Sequence, residues 1–275
     1  MARRIIISVI VTMVLLVAAR WLSKGKPVDY AVREAGMTLY HRTVPAQIGP
    51  GQPLIKMRVD PPLLLGIVVR WMEPPSKEIG ARGLVRVEDN KYEVFLPDLG
   101  KGARIKYWIT ATNSEGTRVR VPKDPSKFGI LAFKGPVSKR VLVAHIVCMF
   151  GAFFFMVMSL FGAVGILHAR EGKRGTVRSA RWVLVCSFIG FVPLGVLLNH
   201  EVYGTLWEGY PFGRDITDSK TQVIFVLWLV SLLLVRGSFI GGGEEKDRLG
   251  PTAFAWAIIV SFLVSLALFI VPHSI

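Results

Sequence analysis

"ARIKYWITATNSEGTRVRVP", residues 103–122, alternates apolar and polar side chains on either side of a four-residue turn. Ile105, Tyr107, Ile109 and Ala111 share one face and Arg104, Lys106 and Thr110 the other. That period of two belongs to a half-buried strand. Asn113, Ser114, Glu115 and Gly116 turn the chain, and Val119 and Val121 return on the inward face. The same strand character marks "LLGIVVRWME" (64–73) and "KYEVFLPDL" (91–99), with Pro61–Pro62, Pro74–Pro75 and glycines placing turns between them. Short strands punctuated in this way predict a β-sandwich over residues 28–136. The segment contains no cysteine, so its core alone must hold it together.

On both sides of this segment the pattern changes. The chain of 275 residues is 52% hydrophobic with a mean hydropathy of +0.47, too apolar for an ordinary soluble domain. Residues 5–19, 141–167, 182–198, 223–235 and 253–271 are nearly free of charge and close to bilayer length. Five spans are the reading, the last four forming a bundle over residues 138–272. Residues 1–22 fit two descriptions. They form a retained anchor, which Trp21 and Leu22 extend past Arg20, or a signal sequence with Arg3 and Arg4 as its basic start. The next segment is exported either way.

Loop charges set the orientation. "HAREGKRGTVRSAR" (168–181) holds Arg170, Lys173, Arg174, Arg178 and Arg181 against Glu171, and is placed in the cytoplasm. Residues 199–220 hold Arg214 and Lys220 against Glu201, Glu208, Asp215 and Asp218, and are placed outside. Met1 then lies inside and Ile275 outside. The net charge of +15 is concentrated in the exported part, where residues 20–140 carry 22 bases and 11 acids, or +11. A basic face there meets anionic lipid or an acidic protein, and nucleic acid is excluded as a partner. Counting helical rise from the expected boundaries puts Cys148 and Cys186 at different depths, too far apart to bridge.

Residues 92–122 resemble the last strands of a fibronectin type III or related immunoglobulin-like domain. Leu96, Leu99, Gly102, Tyr107, Ile109, Ala111, Asn113, Gly116 and Pro122 fill that family's pattern of a leucine-bearing corner followed by alternating strand residues. Ile105 stands where the family often has its corner tyrosine, which leaves Tyr107 as the substitute. The resemblance implies a binding or spacer module. The fold class is therefore a membrane protein of α + β type: an N-terminal transmembrane anchor, an extracytoplasmic immunoglobulin-like sandwich and a C-terminal four-helix transmembrane bundle. Its localisation is the plasma (inner) membrane.

No Ser-His-Asp set, paired carboxylates or glycine-rich phosphate loop indicates catalysis. Helical spacing puts His145, Met149, Ala152, Met156, Ser159 and Ala163 on one face of the second span. Cys186, Gly190, Pro193, Leu197 and His200 share a face of the third, and Pro193 should kink it. His145, His200 and His273 all fall at the outer level. Histidines in or beside spans suggest function, and these three, with Met149, are candidate metal ligands. His145 and His200 are the candidate pair for a b-type haem or copper. In the outer loop, Tyr203, Trp207, Tyr210 and Phe212 read as an interfacial belt, and Ser219 with Gln222 as a capping box. Lys134, Lys139 and Arg140 are expected to meet the acidic loop residues Glu201, Glu208, Asp215 and Asp218. Two functions follow: an assembly or recognition subunit that pairs with other membrane or extracytoplasmic proteins, or a membrane redox protein.

Overall fold

The computed structural model describes residues 2–23, 27–61, 64–211, 213 and 216–270, and divides into two compact units. One comprises Gly25–Pro136 and the short piece Glu201–Thr205; the other comprises the helices before and after it.

The first of these units holds eleven strands: β1 (Asp29–Glu34), β2 (Met37–Arg42), β3 (Ala46–Ile48), β4 (Leu54–Asp60), β5 (Leu64–Met72), β6 (Ile79–Gly83), β7 (Val85–Glu88), β8 (Lys91–Phe95), β9 (Arg104–Asn113), β10 (Arg118–Val121) and β11 (Gly129–Lys134). One sheet runs β1-β2-β4-β8-β7, and the other β3-β11-β9-β5-β6 with β10 also paired to β9. Pairing is antiparallel throughout the described strands except between β3 and β11. The inward faces meet as predicted. Ile105, Tyr107, Ile109, Ala111, Val119 and Val121 are buried against Leu39, Ile55, Val59 and Leu96 of the opposite sheet and its connection. The turn between β9 and β10 is made by the Asn113 side chain, whose Oδ1 accepts the N–H groups of Glu115 and Thr117.

The helices are α1 (Ala2–Ser23), α2 (Lys139–Leu167), α3 (Lys173–Ile189), a π-helical segment (Gly190–Gly195), α4 (Val196–Tyr203, its residues from Glu201 on counted with the sandwich unit), α5 (Ile216–Leu233), α6 (Arg236–Ile240), a 3₁₀ turn (Glu244–Lys246) and α7 (Pro251–Ile270). Three described helical stretches are long and apolar enough to cross a membrane: Lys139–Leu167, Lys173–Tyr203 and Pro251–Ile270. Their unpacked faces expose Val143, Val147, Val185, Phe188, Val260 and Leu263, the composition of a surface meant for lipid. α1 is helical throughout and packs on this unit through Val11, Leu15 and Leu16, with Ser8 donating to Met158 Sδ at 3.1 Å.

Two sequence expectations need correction in α3. The stretch read as a long basic loop is largely helix, because α3 begins at Lys173 and carries Arg174 and Arg178 exposed and Arg181 half-buried. The whole Lys173–Tyr203 stretch is 31 residues long, roughly 46 Å at the usual rise, well beyond a hydrocarbon core of about 30 Å. Cys186 consequently sits mid-helix. A β-carbon at Gly151 would lie 3.2 Å from its sulfur, and one at Gly190 3.3 Å from Cβ of Cys148. The two cysteines are within a turn of each other in height, and both are free.

The second correction concerns Pro193. It has no N–H to give and its ring crowds the carbonyl of residue 189; the helix accommodates it by widening into the π segment. The extra residue rotates everything beyond it. Thr176, Val177, Ala180, Val183, Leu184, Ser187 and Gly190 form the buried face, whereas Pro193, Leu197 and His200 are exposed. On α2 the predicted face holds, with Ala152, Met156, Ser159 and Ala163 buried. α2 and α3 approach closely where side chains vanish. A β-carbon on Gly162 would come 2.3 Å from Thr176 Oγ1, and one on Gly190 3.0 Å from Met149 Sδ.

Hydrogen bonds fasten α5 to α7. Trp228, fully buried, donates its indole N–H to Ser265 Oγ at 3.0 Å, and Ser231 and Ser261 hydroxyls lie 2.9 Å apart. Elsewhere in the unit Lys173 and Asp247 form an ion pair at 2.5 Å with both side chains almost wholly enclosed. Asp247 also accepts from Ser238 N–H at 2.8 Å and Ser238 O–H at 2.5 Å. Burial opposes its charge, but Lys173 and Ser238 hold its carboxyl below the usual carboxylate range.

Candidate functional site

In the helical unit the outer candidates are separated. His145 projects from α2 to the π segment, where its Nδ1–H donates to the Gly190 carbonyl at 2.8 Å. That bond leaves Nε2 as the lone-pair nitrogen. It also takes up a carbonyl in the region where Pro193 disturbs the helical ladder. His200 is exposed and ten residues further along the same helical stretch, roughly 15 Å of axial rise. Two imidazoles on one iron must lie within a few ångström of each other. His145 is thus engaged at Gly190, and His200 lies roughly 15 Å further along the helical stretch. Met149 packs toward Gly190. His273 lies outside the described residues, and among those described no three His, Cys, Asp or Glu side chains converge as a metal site would require. His168, at the other end of α2, donates Nδ1–H to the Val164 carbonyl at 2.8 Å.

The acidic loop proves to have an internal use that its composition conceals. Asp218, in the first turn of α5, accepts from Asn199 Nδ2 at 2.7 Å and from the Glu208 backbone N–H at 3.0 Å. It ties α4, the loop and α5 together. Ser219 is not an N-cap, because α5 starts at Ile216; its hydroxyl instead accepts from Tyr210 N–H at 3.1 Å. Trp207 packs edge-on against Phe191 at 5.0 Å. Asp215 lies outside the described residues. Glu208 is half-buried, and Lys139 and Arg140 are exposed at the start of α2.

In the sandwich unit, Lys134 ends β11 with its ammonium 5.9 Å from the Tyr203 ring centroid, and Gly135 N–H donates to the Val202 carbonyl at 2.8 Å. Glu201–Thr205 is thus part of this unit. Tyr107 does not make a tyrosine corner. Its ring is in the core and its hydroxyl reaches across to β2 and the connection after it. His41 Nδ1–H donates to the Lys56 carbonyl at 2.8 Å, so Nε2 carries the lone pair and accepts the Tyr107 O–H at 3.0 Å. Tyr107 oxygen in turn accepts Val44 N–H at 3.3 Å. Every donor meets an acceptor only if His41 is neutral. Burial pushes the His41 imidazole below its ordinary value and the Tyr107 phenol well above its own. The sequence reading passed over His41; the signal available was a lone histidine on the inward face of a period-two strand.

On the outside, Tyr40 lies under the Arg58 guanidinium at 4.3 Å, and Arg120 sits 5.5 Å from Trp108 and 5.2 Å from Phe128. These aromatic rings are thereby committed to neighbouring side chains. Edge strands β6 and β7 leave Ile79, Val85 and Val87 exposed at 55%, 68% and 52%.

No family model matches this chain, and no curated protein does. Among solved structures it shows a similarity to Astrotactin-2, described as a conserved vertebrate-specific and perforin-like membrane protein involved in neuronal development. The match covers 89% of this chain and 38% of that one at 8% identity, with a TM-score of 0.21. At that score the superposition carries no argument about fold or function.

Proposed function

We propose that this chain is an integral membrane protein whose exported immunoglobulin-like sandwich serves assembly or recognition, as a subunit or accessory of a membrane complex. The strand order supports the family reading. β2-β4-β8-β7 against β5-β9-β10/β11 follows the A-B-E-D and C-F-G sheets of such domains, with β6 as an added neighbour of β5. α1 and α5 complete five spans with the three apolar helices, and the arginines of residues 170–181 face the cytoplasm.

The observation that carries the recognition role is the open edge at β6 and β7. Charge blunts both outer strands, through Arg82, Arg86 and Glu88, but Ile79, Val85 and Val87 stand exposed beside those charges as apolar contacts. An extended segment of an extracytoplasmic protein could add to such an edge.

A photo-crosslinking residue at Val85 or Val87 in cells should trap one discrete partner, lost in Val85→Lys/Val87→Lys; a diffuse ladder unaffected by the lysines refutes the role. Orientation is tested separately with an impermeant thiol reagent on cysteines at Arg174 and Leu206, both exposed. Labelling of the first and not the second in intact cells refutes the topology.

A further inference from the structure

We propose that the helical unit holds a binding site for the phosphate group of an anionic phospholipid, formed by Arg174, Arg178 and Arg181 of α3 and the glycine-rich turn of residues 237–243. These three arginines are spaced at i, i+4 and i+7, so they lie along one helix face. They line a cavity of about 540 Å³ together with Gly237, Ser238 and Glu244. Residues 241–243 are all glycine and bring no side chain to fill it.

Three arginines outnumber the acids at the cavity, Glu244 in its wall and Glu245 beside Gly243. Asp247 is enclosed and committed to Lys173 and Ser238. Glu244 reaches Arg174 only at 3.7 Å, with side-chain exposures of 50% and 91%, a pairing of little strength in solvent. Arg181 is fixed in the wall: its Nη2 donates to the Ser238 carbonyl at 2.7 Å and its guanidinium lies 5.7 Å from the Phe239 ring. Its Nε–H is buried and has no acceptor. The exposed guanidinium groups of Arg174 and Arg178 supply the charge and paired N–H donors that match a phosphate best.

The ligand chemistry is thus a phosphate ester, from a lipid headgroup or from solution. The lipid source rests on the membrane reading above, since this cavity lies beside the start of an apolar span, where basic pockets meet anionic headgroups. The test keeps the two sources apart. The full chain in neutral detergent is titrated with dioctanoyl phosphatidylglycerol, dioctanoyl phosphatidylcholine and inorganic phosphate, and bound molecules are counted by native mass spectrometry.

One saturable phosphatidylglycerol should bind, with phosphatidylcholine bound far more weakly. In Arg174→Gln/Arg178→Gln, whose side chains are exposed and leave the fold intact, affinity should fall roughly thirtyfold, two basic contacts being lost. Arg33→Gln/Arg118→Gln, equal in charge but on the sandwich, should change nothing. Binding of inorganic phosphate with no lipid would overturn the lipid source while leaving a phosphate site. Binding unchanged in the α3 variant, or lowered equally in the sandwich variant, would overturn the site itself. Failure of the orientation test with intact labelling of this cavity's lipid would reject the topology alone.

Discussion

Replacing Tyr107 by Phe removes one oxygen from the sandwich core and strands two groups at once. His41 Nε2 loses the O–H it accepts at 3.0 Å, and Val44 N–H loses its acceptor at 3.3 Å. A buried polar group without a partner costs about 1–3 kcal/mol. The Val44 bond is long and belongs at the low end, so the loss totals about 2–4 kcal/mol, or about 30- to 700-fold in the opening equilibrium. The assay uses the absence of cysteine from the sandwich. In a Cys148→Ser/Cys186→Ser background, a cysteine at Val69, which is fully buried, reacts with a thiol reagent only when the core opens. Its rate tracks the opening equilibrium while reclosing outpaces reaction. Protonation should act on the same network. His41 is held below its ordinary value by burial, so below about pH 6.5 the unfolded chain binds more protons than the folded one and stability falls as pH falls. After correction for thiolate content, opening should rise by up to about tenfold per pH unit below that point, and His41→Gln should flatten this slope. Labelling of Tyr107→Phe within about threefold of its parent, where a loss of at least thirtyfold is due, would refute the reasoning. So would a pH slope that survives His41→Gln.

Three further outcomes follow from the helical unit. Asp247→Ala leaves Lys173 enclosed without its carboxylate and should destabilise by about 3–5 kcal/mol, while Lys173→Met/Asp247→Leu should recover most of that loss; thermal unfolding in detergent distinguishes them, and equal midpoints would count against an enclosed pair. Trp228→Phe, which forfeits the bond to Ser265, should cost little more than about 0.6–1.7 kcal/mol, the range for hydrogen bonds between spans, measured by the same unfolding. Gly162→Val drives a side chain into Thr176 and should cost about 1–3 kcal/mol, visible as faster proteolysis in the 168–172 connection; Gly250→Val, at a position with open space around it, should be harmless there.

Alternation with a period of two was enough to place β5, β8, β9 and β10 and to choose their inward residues, because a strand's faces are set by the pleat regardless of what packs on them. Long apolar runs likewise announced helices, and small residues on α2 announced its packed face. Helical position failed beyond Pro193, where one residue of π-helical widening turned the face away, and span ends failed at α3, whose arginines continue the helix past its apolar core. The polar interior was legible in no linear pattern. His41 and Tyr107 are 66 residues apart, Lys173 and Asp247 74, and Asn199 and Asp218 19, and each polar group is tolerable in its burial only because the fold brings the other to it. Residue periodicity depends on the local backbone and is written along the chain. Satisfaction of a buried charge or hydrogen bond depends on which distant segment arrives, and only the tertiary structure decided that.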